Sequence, residues 1–153
     1  MPGNSADHVP TKIAIIGVGN TLRADDGVGA YICSEIELLC LPGVTIRNVH
    51  QLHVELIEDL LDYDSVIIVD ASVAGKAVEF VALSTVETQA VSSSHHLNAN
   101  MLHALTKKMY GKNIPIFLCS VRCENFEMGE ILSANAITNA KKAIEIICNW
   151  TKK

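Results

Sequence analysis

Two adjacent carboxylates, Asp25 and Asp26, stand between a glycine turn, Gly17-Val18-Gly19-Asn20, and the segment Gly27-Val28-Gly29. A third, Asp70, ends the apolar run Ser65-Val66-Ile67-Ile68-Val69, and an imidazole, His95, with His96 directly behind it, follows Ser92-Ser93-Ser94. Two carboxylates and one imidazole with open coordination positions, here Asp26, Asp70 and His95, form a competent donor set for a divalent metal and for hydrolysis. Each residue also has a simpler role available. Asp25 or Asp26 can cap the helix that follows, and the expectation is that one does so and leaves the other for chemistry. An aspartate at a strand end is a common turn residue, and a lone histidine is more often a cap or a surface group than a ligand.

Other chemistries fit less well. The turn at Gly17–Asn20 lacks the third glycine of a dinucleotide fingerprint, and the second strand ends on Val49-His50 where a ribose-binding acid would stand. Two aspartates at a helix start would also repel a phosphate. Cys119 and Cys123 have no second pair at zinc-module spacing, and Cys119 lies in an apolar run, so they read as buried small hydrophobes. Ser92–Ser94 has no nucleophile elbow around it. Met101 and Met109 stand at helical spacing and read as core.

The elements that must hold these residues alternate along the chain. Ile13–Ile16 is a continuous apolar run, as expected of a strand covered on both faces and stopped by Gly17. Val28, Ile32, Ile36 and Leu39 recur at helical spacing up to Pro42-Gly43. Val44–Val49 reads as a second strand, Val54–Leu61 as a short helix and Ser65–Asp70 as the clearest buried strand. Val78–Leu83 is expected at a sheet edge. Ser94 is a natural N-cap for a helix with Leu97, Met101, Leu105 and Met109 on one face, ending at Gly111. Pro115–Val121 supplies a further strand. A last helix starts at Ser133, with Ile137, Ala140, Ile144 and Ile147 inward. The expected fold class is α/β: a three-layer α/β/α sandwich with a mainly parallel central sheet and one antiparallel edge strand. Ligands bind such sheets at the carboxyl ends of the strands. Asn20, Asp25 and Asp26, then His50 and His53, then Asp70 and Ser72, and then Arg122 and Glu124 all follow core strands and load that rim with polar groups.

Composition narrows the function further. The 153 residues are expected to form a flexible N-terminal tail over 1–10, without a signal-peptide pattern, and a single domain over 11–153. A net charge of −5 and an aromatic content of 5% argue against nucleic acid, and no apolar run reaches the ~20 residues of a membrane span. Five cysteines, an odd number, suit a reducing compartment.

Taken in order, these residues resemble the maturation endopeptidases of nickel-iron hydrogenases. The resemblance spans nearly the whole domain. It is carried by Gly17-Val18-Gly19-Asn20 with Asp25-Asp26-Gly27-Val28-Gly29, by Asp70 after VIIV, by Ser94-His95 with Leu97, and by Phe126-Glu127-Met128-Gly129-Glu130 with Leu132-Ser133. It implies a cytoplasmic peptidase, of a kind open to aspartyl-type classification. Such an enzyme removes a C-terminal extension from the large-subunit precursor of a nickel-iron hydrogenase once nickel has been inserted. The implied catalytic and metal-contacting residues are Asp26, Asp70 and His95. Nickel would arrive with the precursor and would not be held permanently. Glu55 coincides with an acid common in the family. The chain departs from the family pattern in carrying Asp at 26 where some relatives have Glu, Val49-His50-Gln51 in place of a Gly-Gly-Thr turn, and His96 beside His95. The alternatives are a non-catalytic nickel-sensing chaperone of the precursor and a metallohydrolase of other specificity.

Overall fold

The computed structural model describes residues 11–83 and 98–152. Five strands form one sheet in the order β2-β1-β3-β5-β4: β1 Ile13–Val18, β2 Val44–Val49, β3 Ser65–Ser72, β4 Val78–Ala82 and β5 Ile116–Arg122. The pairs β1–β2, β1–β3 and β3–β5 are parallel, whereas β4 runs antiparallel to β5 at the edge, as expected. The apolar runs are continuous because alternate residues enter different cores. Ile13, Ile15, Ile67 and Val69 face α1 (Val28–Glu37) and α4 (Ala134–Thr151). Ala14, Ile16, Val66 and Ile68 face α2 (Leu56–Leu60) and α3 (Ala99–Tyr110). Helices therefore cover both faces, and the molecule is a three-layer α/β sandwich. No helix among the described residues is long and apolar enough to cross a membrane.

Several boundaries differ from expectation. β1 continues through Gly17 to Val18, because Gly17 keeps its pairing to Asn48 and Val69. A Cβ at Gly29 would stand 2.9 Å from the Val69 carbonyl oxygen and 3.1 Å from the Val18 nitrogen, so this glycine lets the start of α1 settle directly on the sheet. Ser94 lies outside the described residues; the cap of α3 is Asn98, whose Oδ1 accepts from the Met101 N–H at 2.8 Å. The buried face of α3 also differs from expectation. Leu102, His103 and Thr106 point inward, while Met101 and Met109 are 45% and 50% exposed. Ser133 caps α4 as expected, with Ala136, Ala140, Ala143 and Ile147 buried. Phe117 stacks on Phe80 at 5.4 Å and meets Trp150 at 4.8 Å, fixing the end of α4 against β4 and β5.

Cys33, Cys119 and Cys123 are buried in the core beneath α1 and α4, and all five cysteines are unpaired. Burial pushes the thiols of these three up to about 12, which keeps them inert.

Candidate active site

β1 leads to β2 on one side, and β3 then lies on the other side of β1, so the connections diverge between β1 and β3. At such a switch point the carboxyl ends of the strands leave a crevice. Here it is a cleft of about 560 Å³ bounded by the ends of β1 and β3, the turn after β2 and the start of α3. Asp26 and Asp70 both line it, with Asn20, Arg23, His50 and Asn98.

Asp26 reaches the cleft from a 3-10 turn, Ala24–Gly27, that carries the chain from β1 into α1. Its Oδ2 accepts the Asn20 N–H at 2.7 Å, and the Asn20 side chain in turn accepts the Leu22 N–H at 2.9 Å. Gly19, with φ +147°, passes over the Asp26 carbonyl so closely that a Cβ there would collide with it. Asp70 arrives from β3, and its Oδ1 accepts the Ala71 N–H at 2.8 Å. Among the described residues, each carboxylate keeps one oxygen without a hydrogen-bond donor. Burial pushes Asp70 up to about 7, the Ala71 N–H pulls the other way, and the charge of Asp26 adds to the rise. Arg23 is the single Lys or Arg among the described residues lining the cleft, and its Nε is directed to the Phe126 carbonyl at 3.2 Å. Among the described residues no cationic side chain pairs with either acid. A divalent cation with oxygen ligands would offset their charge. No serine, threonine or cysteine lines the described part of the cleft.

The structure separates the adjacent aspartates in a way their spacing could not. Neither caps α1, whose start has no side-chain cap. Asp25 is fully buried and points away from the cleft, where its carboxylate accepts from the Ser133 N–H at 2.7 Å, the Ser133 Oγ–H at 2.8 Å, the Asn125 N–H at 3.0 Å and the Glu124 N–H at 3.1 Å. Burial alone would raise its pKa, but these bonds together outweigh burial and hold it below the usual carboxylate range.

His95 and His96 lie outside the described residues, so the expected third donor has no described position. Among the described residues, no three His, Cys, Asp or Glu side chains stand close enough to hold a metal ion. His50 joins the cleft, whereas His53 and Glu55 are exposed and do not line it. Arg122 and Glu124 open on a separate groove of about 530 Å³ between the ends of β3 and β5 and the start of α4. Sequence reasoning placed the turn with Gln51 at the cleft but passed over Arg23 and Asn98. Their place just after strand ends or at a helix cap was the available signal.

No family model and no curated protein matches the chain. Solved structures do. A [NiFe] hydrogenase maturation protease HycI from Thermococcus kodakarensis KOD1 superposes with a TM-score of 0.74 at 25% identity, over 94% of each chain. The hydrogenase maturating endopeptidase HybD from E. coli superposes with a TM-score of 0.72 at 18% identity, over 93% of each chain. A [NiFe] hydrogenase maturation protease HybD from Thermococcus kodakarensis gives 0.65 at 19% identity, over 92% of this chain and 99% of that one.

Proposed function

We propose that this chain, which belongs with the nickel-iron hydrogenase maturation proteases, is the endopeptidase that removes a C-terminal extension from the nickel-loaded large-subunit precursor of such a hydrogenase. The observation that carries this reading is the pair Asp26 and Asp70 at one switch-point cleft, each with one oxygen that meets no donor among the described residues, and with Asp70 pushed up by burial and by the charge of Asp26. Oxygen donors of this kind suit a divalent cation, and His95 supplies the third contact to the nickel that the precursor brings. Nickel is thus part of the substrate, and an empty precursor lacks the group that these residues hold. The scissile peptide lies across the carboxyl edge of the sheet, beside the acids, and water attacks its carbonyl. The reaction takes place in the cytoplasm.

Intact mass of the precursor, measured after incubation with this protein, tests the reading. Loss of a C-terminal peptide from nickel-loaded precursor, with the empty form left whole, is the expected result. Complex formation without any loss of mass would replace the peptidase with a chaperone, and equal cutting of both forms would remove nickel as the signal.

A further inference from the structure

Asp25 has no place in the cleft, yet it is among the most heavily hydrogen-bonded side chains on this edge of the sheet. We propose that Asp25 is a positioning residue for Asp26, locking the first loop to the segment 124–133 so that its neighbour is held at the cleft. The inference rests on the reading of the cleft given above.

The geometry begins with the 3-10 turn Ala24–Gly27. At three residues per turn, consecutive side chains project about 120° apart, so Asp25 and Asp26 serve different sides of the turn. Asp25 turns inward, toward partners up to 108 residues away in sequence. All four groups that meet its carboxylate are donors, from Glu124, Asn125 and Ser133. Only an acceptor with two ionised oxygens satisfies them, since an amide would set its own N–H groups against some of them. The backbone reinforces the lock. Asp25 N–H donates to the Asn125 carbonyl at 2.8 Å, Ala24 N–H to the Gly129 carbonyl at 2.7 Å and Gly129 N–H to the Leu22 carbonyl at 2.9 Å.

Ser133 extends it to α4. Its hydroxyl donates to Asp25 and accepts the Ala136 N–H at 3.2 Å, so one side chain sets the start of the helix against the first loop. The lock also sustains backbone strain. Ala24 sits at φ +46°, a left-handed conformation that costs a residue with a Cβ roughly 1 kcal/mol and persists where surrounding bonds over-determine it. On the cleft side the same turn places the Asp26 N–H on the Arg23 carbonyl at 3.0 Å and the Asp26 carboxylate on the Asn20 N–H. Freed from Asp25, the turn can relax and the Asp26–Asn20 bond is lost.

The test uses the full chain with Asp25→Asn, Ser133→Ala and Ser133→Thr. Its structural readout is the amide proton resonance of Asn20, which its bond to the Asp26 carboxylate moves downfield. This is a property of the folded molecule and is independent of overall stability. Expected are an upfield shift of that resonance in Asp25→Asn, a smaller one in Ser133→Ala and none in Ser133→Thr, which keeps the hydroxyl. On loaded precursor, kcat should fall about tenfold or more in Asp25→Asn with KM little changed, as misplacement of a reacting group predicts. An Asn20 resonance that stays in place in folded Asp25→Asn, or an unchanged kcat, would overturn the proposal. Should Asp25→Asn not fold, the two Ser133 variants decide by the same resonance. If the wild type fails to cut the precursor, the function is wrong, and the Asn20 resonance still judges the lock.

Discussion

The carboxyl edge of the sheet carries two hollows of similar size, about 560 Å³ at the β1–β3 switch point and about 530 Å³ between the end of β5 and α4. Both contain an arginine and asparagines, but the cleft holds two acids and the groove one. In the groove by α4, Asn135 donates to Glu124 at 2.8 Å, Asn139 to the Arg122 carbonyl at 3.0 Å and Arg122 to the Gly75 carbonyl at 3.2 Å. These polar groups hold the loops in place. In the cleft two acids share one pocket, each with one oxygen that meets no donor among the described residues. Burial together with the charge of Asp26 pushes Asp70 up to about 7, whereas Glu124, the acid of the groove, is exposed. Size does not separate a site from a seam between elements; two acids crowded into one partly buried pocket do.

Substitutions can break or sharpen this contrast. The largest effect is expected from Asp26→Asn, which removes the charge while keeping the shape. Initial rates on loaded precursor should fall about a hundredfold or more, with thermal unfolding near that of the wild type. Gly19→Ala comes next, since its Cβ collides with the Asp26 carbonyl at a backbone conformation that disfavours any side chain. A loss of about 2–4 kcal/mol in urea unfolding is expected, together with reduced cleavage.

Asp25→Asn should cost about 3 kcal/mol at neutral pH, through four donors losing their carboxylate. The sign with pH follows from its lowered pKa. The folded protein holds this group ionised where the unfolded chain would protonate it, so its contribution is full above the ordinary aspartate value of ~3.9 and is lost as pH falls through the lower folded value. Urea midpoints of wild type and variant should therefore converge toward acid pH. The smallest effect belongs to the groove by α4: Arg122→Ala should leave cleavage within about threefold of wild type and alter stability by about 0.5 kcal/mol.

The strands were legible because β1 and β3 are buried on both faces and read as unbroken apolar runs, and the rim followed from their alternation with helices. Asp26 and Asp70 could be placed on one edge for the same reason. The division of labour between Asp25 and Asp26 could not be read, since it depends on Ser133 and Asn125, about a hundred residues downstream. The inward face of α3 was missed for a local reason. Met101 and Leu102 are adjacent and both apolar enough for either side, so helical spacing alone does not fix which of them meets the sheet. Glu55 matched a pattern but lies at the start of α2, exposed and off the cleft.

Asp70→Asn, followed for both stability and cleavage, tests the central claim most directly. The folded protein keeps the Asp70 proton up to about pH 7, while the unfolded chain releases it near ~3.9. The folded state thus binds more protons between these values, and wild-type stability falls as pH rises through them. At pH 8 the variant should melt about 5 °C higher than wild type, lack that slope and fail to cut nickel-loaded precursor. A variant that melts lower and still releases the C-terminal peptide would contradict the claim that this cleft holds its charge for function.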